Sequence, residues 1–365
     1  MIPMLDLKAQ YQSLRPTLEP AISEALASTQ FILGPNVQAF EKEAADYLGA
    51  RNAISCASGT DALYLALAAA DIGAGDEVIT TPFTFIATAE AICYVGATPV
   101  FVDIDPHTFN IDIDAIEAAI TPRTRAILPV HLFGQPVDMD RLNELACKHD
   151  LLVVEDCAQS FGAATRNGMT GTRGIAGCFS FFPSKNLGCF GDGGLITTND
   201  DGITENLRVL RNHGQTERYH HACIGYNSRL DEIQAVVLRH KLPHIDHWNA
   251  ERRRVADRYD SALADLPLHT PVRSDTGTHV FHQYTLTSDH RDTIAAALKA
   301  AGIGHAIYYP VPLHRQPAFA DALTPHSLTH AEETATRCLS LPMFPELDDA
   351  RIDEICATIR GALDG

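Results

Sequence analysis

The sequence is poor in basic residues and has no long apolar run. It contains 28 Lys and Arg against 46 Asp and Glu among 365 residues, a formal net charge of −18. This charge argues against non-specific binding to nucleic acid or to an anionic membrane surface. No apolar stretch approaches the roughly 18 residues of a membrane-spanning helix, and the first residues carry no basic-then-apolar signal pattern. We therefore predict a cytoplasmic protein without nucleic-acid or membrane partners.

Disulfide patterns and common nucleotide-binding motifs are also missing. The nine cysteines are scattered, and no two of them are spaced as Cys-x-x-Cys. This odd, unpatterned set predicts reduced thiols. The chain has no GxxxxGK[ST] loop, and no GxGxxG follows an apolar run. These absences argue against a P-loop nucleotide site and a dinucleotide-binding fingerprint.

Short apolar runs alternate with helical patterns between residues 54 and 198. Strands that are buried on both faces are nearly all apolar. The alternation therefore predicts an α/β fold with a mainly parallel sheet covered by helices. The predicted strands are 53–56, 77–81, 98–103, 125–130, 151–155, 177–182 and 194–198.

Helix boundaries can be predicted at several places. The first 50 residues form two helical arms that are broken at residues 34–35, and Asn36 is a candidate cap for the second arm. A further helix is predicted from Met139 to Lys148, with Asp138 as its cap.

The pattern changes at Trp248, where a long basic helix begins. Strands are predicted near 281–287 and 305–309, a helix near 290–301, and a last helix from Asp348. We interpret this part as a smaller α+β domain. The predicted division is a large domain at 1–247, which includes the helical arms, and a small domain at 248–365.

Lys185 lies in a run of aromatic residues and glycines, Phe-Phe-Pro-Ser-Lys-Asn-Leu-Gly-Cys-Phe-Gly-Asp-Gly-Gly at 181–194. Upstream, Asp156 closes the apolar run 151–156. A lysine can form a Schiff base with an aldehyde, and an aspartate can keep a pyridine nitrogen protonated. Pyridoxal 5'-phosphate (PLP) needs both of these protein groups. Most lysines are solvated and acidic residues often end strands, so the prediction of PLP, with Lys185 and Asp156 as catalytic residues, rests on the pair.

A candidate phosphate site lies upstream, in Cys-Ala-Ser-Gly-Thr-Asp at 56–61. This motif follows a predicted strand and opens a helix, where free backbone N–H groups and the helix dipole suit a phosphate. The motif contributes Gly59 and Thr60, and Ser180 would add a hydroxyl from just before the lysine loop. The simpler alternative is that Thr60 only caps the helix.

Further side chains are candidates for contacts with the cofactor ring. Phe85, in Phe-Thr-Phe at 83–85, would stack on the ring, or these aromatics pack in the core. Asp156 ends a strand, where open parallel sheets bind ligands, and Gln159 would reach the ring hydroxyl. The glycines between residues 191 and 194 would let the backbone approach closely.

Three histidines, His213, His220 and His221, suggest a metal at first sight. Their spacing matches no helical ligand pair, and no Cys or carboxylate cluster accompanies them. We therefore predict no metal. With Arg208, Arg211 and Arg218 this segment is either a basic loop that binds an anionic substrate or a solvated loop.

Five motifs together resemble the DegT/StrS-type nucleotide-sugar aminotransferases. The resemblance runs from Leu5 to the C-terminus and implies the type I, aspartate-aminotransferase fold of PLP enzymes. The motifs are Ser-Gly-Thr-Asp-Ala-Leu, Pro-Phe-Thr-Phe-Ile-Ala-Thr-Ala, Val-Glu-Asp-Cys-Ala-Gln-Ser-Phe-Gly-Ala, Ser-Phe-Phe-Pro-Ser-Lys-Asn-Leu-Gly and Gly-Tyr-Asn-Ser-Arg-Leu-Asp-Glu-Ile-Gln-Ala.

The resemblance implies a role for each matching residue. A dehydratase branch of the family has histidine in place of the lysine, so Lys185 disfavours that branch. The implied roles are Schiff-base lysine for Lys185, pyridine-nitrogen partner for Asp156, ring-hydroxyl contact for Gln159, stacking aromatic for Phe85, phosphate cup for Gly59, Thr60 and Ser180, and a phosphate ligand given to the neighbouring subunit for Asn227. The last role implies a homodimer with shared active sites.

The resemblance also implies substrates. L-Glutamate is the family's usual amine donor, and Gly-Asp-Gly-Gly at 191–194 is similar to members that aminate C3 of a nucleotide-linked ketosugar. The preferred substrate is UDP-2-acetamido-2-deoxy-3-oxo-glucuronate, although Tyr-Tyr-Pro at 308–310 departs from the His-Tyr-Pro expected there. A dTDP-3-oxo-6-deoxyhexose is the runner-up. The candidate substrate residues are Arg229, His213, Tyr309 and His314.

Two other classes of function stay open at this stage. One is a PLP enzyme that makes an aromatic amine or eliminates water. The other is a non-catalytic regulator that binds PLP or a sugar nucleotide, which the intact pair of Lys185 and Asp156 disfavours.

Overall fold

The computed structural model describes residues 1–364. The α-helices, in chain order, are α1 Leu7–Ser28, α2 Pro35–Leu48, α3 Gly59–Ala69, α4 Ala87–Tyr94, α5 Ile113–Ile116, α6 Met139–Lys148, α7 Asp201–Leu210, α8 Glu232–Lys241, α9 Ile245–Leu263, α10 Arg291–Ala300, α11 Thr329–Arg337 and α12 Asp349–Leu363. Short 3-10 turns lie at Glu117–Ala119, Leu132–Gly134, Leu242–His244, Leu313–Arg315 and Pro317–Phe319.

The strands include all seven that the sequence predicts between residues 53 and 198. In chain order they are β1 Asn52–Cys56, β2 Glu77–Thr80, β3 Thr98–Phe101, β4 Thr124–Ile127, β5 Leu152–Asp156, β6 Ala164–Thr165, β7 Gly168–Met169, β8 Ala176–Ser180, β9 Gly194–Thr198, β10 Gln215–Glu217, β11 His220–His221, β12 Gly277–Thr278, β13 Tyr284–Thr287 and β14 Cys338–Leu341.

A seven-stranded sheet forms the centre of the molecule, in the order β1-β9-β8-β5-β4-β2-β3. The pairs from β8 to β3 are parallel, whereas β9 runs antiparallel to both β8 and β1. The predicted mainly parallel sheet is confirmed. Because Ser180 pairs with Gly194, the loop 181–193 leaves and re-enters the sheet at one place. That place is the carboxyl end of β8, and the loop carries Lys185.

Helices cover both faces of this sheet. On one face, α3, α4 and α7 pack on the strands through residues such as Leu63, Ile92 and Leu207. On the other face, one cluster joins the strands to α5 and α6, and a second joins α1, α2 and α8 to Phe179 and Phe181. Burial on both sides explains why the strands are apolar along their whole length.

Two helix starts show how local and distant caps differ. Asp138 caps α6 as predicted, since its carboxylate accepts a hydrogen bond from Arg141 N at 3.2 Å. The prediction for Asn36 is wrong, because Asn36 lies inside α2 and Gly34 is the cap residue. The buried carboxylate of Glu232 instead accepts the Asn36 N–H at 2.6 Å and the Val37 N–H at 3.0 Å. A side chain at Gly34 would collide with Glu232.

The last third of the chain has its own apolar core. It contains α9, α10, α12 and the antiparallel pair β13–β14. The predicted strand at 305–309 is wrong, because only Ala306 bridges to Ser340, and the sequence did not predict β14. Ile2 packs in the same core and bridges to Ile303. The two-domain division stays a prediction, and its boundary falls inside α9.

Within residues 1–364, none of the helices combines the length and the apolar character that a membrane crossing requires.

Candidate active site

The carboxyl ends of the central strands open into one cavity of about 470 Å³. Ligands of open α/β sheets bind at this edge. Side chains reach it from the end of β5, from the loop after β2, from the start of α3 and from the loop that joins β8 to β9. Eight of the predicted site residues line it: Gly59, Thr60, Phe85, Asp156, Gln159, Ser180, Lys185 and Tyr309.

Asp156 is a buried carboxylate at the last position of β5, with 4% of its surface exposed. Thr88 Oγ1 donates to Asp156 Oδ2 at 2.8 Å, and Ala158 N donates to Asp156 Oδ1 at 3.1 Å. Burial raises the pKa of Asp156, while these two hydrogen bonds and the charge of Lys185 lower it in part. A desolvated carboxylate gains most from a cationic partner in the cavity.

Lys185 stands on the loop between β8 and β9, with its backbone N–H bonded to Phe182 O at 2.8 Å. Burial lowers the pKa of Lys185 to about 8, and the nearby charge of Asp156 opposes this shift. No hydrogen-bond partner of Lys185 Nζ is found among residues 1–364. Its amine is therefore free to react, and a substantial fraction is unprotonated near pH 8.

A second buried lysine, Lys241, anchors the loop that carries Lys185. Lys241 Nζ donates to Gly188 O at 2.7 Å and lies 4.7 Å from the centre of the Phe190 ring. Burial lowers the pKa of Lys241 to about 8. These contacts anchor the loop, and we attribute to Lys241 a structural role.

The start of α3 presents free donors to the cavity. The helix cap is Ser58, whose hydroxyl accepts from Asp61 N at 3.1 Å, so the alternative that Thr60 is the cap is wrong. The N–H groups of Gly59 and Thr60 belong to the first turn, which has no intrahelical acceptors. A Cβ built on Gly59 would lie 2.5 Å from Ser180 Cβ. Only glycine therefore allows α3 and β8 to approach this closely.

Two aromatic residues after β2 have different environments. Phe83 is fully buried and packs against Phe109, Phe133 and Tyr309. Phe85 is 57% exposed and lines the cavity. Core packing therefore accounts for Phe83, and Phe85 is the aromatic that is free to stack on a ligand.

Gln159 is oriented by two contacts. Its Oε1 accepts from Phe133 N at 2.7 Å, and its Nε2 donates to the Tyr309 hydroxyl at 3.1 Å. This leaves a second N–H on Gln159 and the hydroxyl proton of Tyr309 for a ligand. Burial raises the pKa of Tyr309, so the phenol stays protonated. The contact between Gln159 and Tyr309 was not predicted.

Four predicted site residues do not line the cavity. Asn227 is exposed and bridges to Asn212, and Arg229 Nη1 donates to Asn212 Oδ1 at 2.9 Å. His213 is exposed on the same loop. His314 does not line the cavity but pairs with Glu332 through Nε2 at 2.8 Å. Their roles stay predictions.

The proposed anion contact of Arg211 is wrong. Arg211 is 8% exposed, and its Nη1 donates to Glu41 Oε1 at 2.5 Å and to Ser55 O at 2.7 Å. These contacts tie the end of α7 to α2 and β1, so the Arg211 guanidinium is used in an internal ion pair.

A buried histidine, carboxylate and thiol lie beside the site, but they form a structural brace. His131 Nδ1 accepts from Val137 N at 3.0 Å, so Nε2 carries the proton and donates to Glu155 at 2.9 Å. Glu155 also accepts three backbone N–H groups from residues 171–174. Burial raises the pKa of Glu155, yet these hydrogen bonds outweigh it and hold the pKa below its usual range. Burial raises the pKa of the Cys157 thiol, so these atoms are not free to bind a metal.

Sequence reasoning missed several residues that line the cavity. Thr84 and Thr88 are one helical turn apart, and their hydroxyls lie 3.0 Å from each other. That i, i+4 spacing was visible in the motif around residue 85. Asp192 and Tyr308 stood in motifs that were used only to choose the substrate, and His282 gave no comparable local signal.

The cavity fits PLP. A free amine, a buried carboxylate, unpaired amides at a helix start and an exposed aromatic ring surround one volume. Lys185 would hold the cofactor covalently, Asp156 would contact its ring nitrogen, and Gly59, Thr60 and Ser180 would surround its phosphate.

Comparison with known proteins gives a consistent answer. The sequence profile of the DegT/DnrJ/EryC1/StrS aminotransferase family matches residues 12–360. The chain is 52% identical to a UDP-N-acetyl-3-dehydro-alpha-D-glucosamine 3-aminotransferase of Acidithiobacillus ferrooxidans, over 100% of this chain and 98% of the relative. It is 46% identical to the UDP-2-acetamido-2-deoxy-3-oxo-D-glucuronate aminotransferase of Pseudomonas aeruginosa (98% and 99%). It is also 46% identical to a dTDP-3-amino-3,4,6-trideoxy-alpha-D-glucose transaminase of Streptomyces venezuelae (98% and 95%).

Solved structures agree. Streptomyces venezuelae DesV in complex with a ketimine intermediate matches with a TM-score of 0.97 and 45% identity, over 100% of this chain and 99% of that chain. NtdA from Bacillus subtilis with bound pyridoxamine phosphate matches with a TM-score of 0.90 and 31% identity, over 97% and 82%. The fold is therefore the type I fold of PLP enzymes, as the resemblance implied. The chain belongs to the DegT/DnrJ/EryC1/StrS aminotransferase family and is a PLP-dependent sugar aminotransferase.

Proposed function

We propose that this protein transfers the amino group of L-glutamate to C3 of a nucleotide-linked 3-oxo sugar. The observation that carries the proposal is the single cavity in which the free amine of Lys185 and the buried carboxylate of Asp156 lie beside the amides of α3. The names of the three relatives support a nucleotide-linked keto sugar as the class of acceptor.

Lys185 performs the proton transfers in this account. Its Nζ removes the Cα proton of glutamate and, in the second half of the reaction, delivers a proton to C3 of the sugar. When bound, PLP supplies an electron-poor ring that accepts the electron pair left by the departing proton. A pKa near 8 suits Lys185 for both directions, because the base and its conjugate acid are both populated.

Asp156 supplies the buried negative charge of the cavity. Its carboxylate, fixed by Thr88 and Ala158, would keep the ring nitrogen of the cofactor protonated through its opposite charge. The free amides of Gly59 and Thr60 would bind the phosphate and thereby hold the cofactor in a fixed position relative to Asp156 and Lys185.

For the acceptor we favour a UDP-linked 2-acetamido-3-oxo sugar with a neutral C6. Lys185 is the only Lys or Arg among the described residues that line the cavity, and Asp192 adds negative charge. A uronate needs a cationic partner to compensate the desolvation of its carboxylate. This departs from the uronate that the sequence motifs favoured, and it follows the acceptor in the name of the relative at 52% identity.

The uronate remains the rival because Arg229 lies two residues from Asn227, on the loop that the resemblance assigns to the partner's site. Initial rates should be compared for the UDP-linked 3-oxo-glucosamine and its C6 carboxylate. We expect the neutral sugar to react at least roughly 10-fold faster, because an unpaired carboxylate costs about 1.4 kcal/mol or more on entry.

A preference for the uronate that disappears in Arg229→Gln would overturn the choice of acceptor without affecting the aminotransferase reaction. A dTDP-3-oxo-6-deoxyhexose is the third arm of the comparison. Faster turnover of this sugar than of either UDP sugar would contradict the choice of nucleotide.

We further propose a homodimer whose active sites are shared. The support is the position of Asn227, exposed and outside the cavity of its own protomer, together with its implied role as a phosphate ligand for the partner. A symmetric dimer would repeat this contact at both sites.

Subunit mixing tests the shared site. Lys185→Ala and Asn227→Asp homodimers should each be nearly inactive, whereas a mixed population should recover about a quarter of wild-type activity. Half of the dimers are then mixed, and one of their two sites is intact. If the mixture stays as inactive as its parents although subunit exchange is verified by mass spectrometry, each site belongs to one chain. An active monomer in sedimentation would also contradict the proposal.

A further inference from the structure

His282 is a cavity residue to which the reaction described above gives no role. It lies between Val280 and β13, is 6% exposed, and lines the same cavity as Lys185 and Asp156. Its Nδ1 lies 3.3 Å from Asn186 Oδ1, and Asn186 directly follows the reactive lysine.

The hydrogen bonds around Asn186 fix the tautomer of His282. Asn186 Nδ2 donates to Val280 O at 3.0 Å and to Asn249 Oδ1 at 2.8 Å, and Asn249 Nδ2 donates to Phe161 O at 3.1 Å. The amide oxygen of Asn186 therefore faces His282 and can only accept. His282 Nδ1 must carry the proton, and in a neutral ring Nε2 is then an acceptor.

Two cations act to keep this ring neutral. Burial is the main cause that lowers the pKa of His282, and the nearby positive charges of Lys185 and Arg252 lower it further. Arg252 is itself buried and donates to Phe281 O at 3.1 Å. Nε2 has no hydrogen-bond partner in the described chain. It is also not one of the solvent-inaccessible polar atoms without a partner, so it is accessible from the cavity.

A hydrogen-bond acceptor at His282 Nε2 favours ligands that carry a hydrogen-bond donor. A phosphate and the two carboxylates of glutamate offer only acceptors, so they gain nothing from His282 Nε2. The nitrogen of glutamate is the reacting atom and is engaged in the transfer. A sugar, in contrast, carries several hydroxyl donors and an acetamido N–H. The uridine carries donors too, but the donors beside the carbon that Lys185 protonates are on the sugar, and His282 lies close to Lys185.

We propose that His282 Nε2 accepts a hydrogen bond from a hydroxyl or acetamido N–H of the acceptor sugar, and that His282 is a specificity-determining residue for the second half of the reaction. This inference rests on the proposed function. It assigns to His282, which precedes β13 in the last third of the chain, a direct part in sugar recognition.

The test measures the two half-reactions separately by single-turnover absorbance, in the wild type and in His282→Leu and His282→Gln. Glutamate is mixed with the PLP form, and the 3-oxo sugar is mixed with the pyridoxamine form. We expect His282→Leu to slow the sugar half-reaction roughly 10- to 100-fold and to change the glutamate half-reaction little. In this variant a donor group of the sugar loses its hydrogen-bond acceptor, whereas glutamate loses no contact. His282→Gln, which keeps an acceptor, should recover most of the rate.

Binding gives a second readout that does not depend on turnover. UDP-N-acetylglucosamine, the unreactive C3 alcohol, is titrated calorimetrically into each holoenzyme, and its Kd should rise roughly 10-fold in His282→Leu and return toward wild type in His282→Gln. His279 is a buried histidine three residues away that lines a different cavity and stacks on Phe281 at 3.8 Å. His279→Gln is the control for packing damage and should leave the ratio of the two half-reactions unchanged.

Three outcomes would overturn the inference. If both half-reactions fall equally in His282→Leu, the histidine acts on Lys185 or on the fold. If neither half-reaction nor the Kd changes, it has no role in recognition. If His282→Gln is as impaired as His282→Leu, a hydrogen-bond acceptor at this position does not determine the rate of the sugar half-reaction. Failure of the wild type to aminate any 3-oxo sugar would instead refute the proposed function, which separates the two claims.

Discussion

Lys185→Ala should lose the aminotransferase reaction almost completely, by about 10⁴-fold or more, because it removes both the covalent attachment and the general base. Lys185 Nζ is the one aliphatic amine among the described residues that line the cavity, so no neighbour can replace it. The rate is read in a single turnover, as the loss of the visible absorption band when glutamate is added.

Chemical rescue provides the control for this variant. Methylamine or ethylamine should restore part of the rate, because the alanine leaves space for a small amine where Nζ stood. Circular dichroism and the binding of pyridoxamine phosphate, which forms no bond to Lys185, should stay close to wild type, because Lys185 Nζ makes no hydrogen bond within residues 1–364. Near-normal turnover without added amine would show that another residue is the base.

Asp156 is expected to be the second most sensitive position. Asp156→Ala should lower the rate of both half-reactions about 100- to 1000-fold, since it removes a preorganised charge from a buried site. The more informative variant is Asp156→Asn, which keeps a side chain able to contact Thr88 and Ala158 but has no charge. A loss of similar size in Asn and Ala would assign the effect to charge.

Thr88→Val gives the graded control for this position. It removes the 2.8 Å hydrogen bond to the carboxylate but leaves the charge, so the rate should fall only a few-fold, as for one hydrogen bond of about 1 kcal/mol. The pKa of Lys185 should also fall below its value of about 8 in both Asp156 variants, because the carboxylate's charge raises it in the wild type. An Asp156→Asn enzyme with near wild-type rates would contradict the assigned role.

The sheet and the centre of the site could be predicted because their signals are local. Each central strand is an apolar run, and the ends of β5 and β8 identify Asp156 and Ser180 directly. Gly59 and Thr60 were recognisable because phosphate sites at helix starts have a short signature.

Contacts between residues that are far apart in the sequence could not be predicted from such local signals. Glu232 caps α2 across 195 or more positions, and Tyr309 meets Gln159 across 150. Arg211 stands in a basic stretch, yet the fold turns it inward to Glu41. A periodic pattern gives the buried face of a helix, but the partner of a polar side chain depends on the whole packing arrangement.

β14 was missed for a related reason. Cys338–Leu341 is only four residues long and follows α11 without a turn signal. Its strand conformation depends on pairing with β13, more than 50 positions upstream. Short strands of this kind take their structure from the neighbour, and their own sequence is ambiguous.

The central claim is that nitrogen moves from glutamate to C3 of a UDP-linked 3-oxo sugar in the cavity of Lys185. The most direct measurement supplies L-[¹⁵N]glutamate and the 3-oxo sugar to the purified enzyme and records the product by NMR. We predict a UDP-3-amino sugar with ¹⁵N coupled to the proton at C3, one 2-oxoglutarate per amine, and no product with Lys185→Ala. Label at C4, or 2-oxoglutarate formation without an amino sugar from any UDP- or dTDP-linked 3-oxo sugar, would contradict this account.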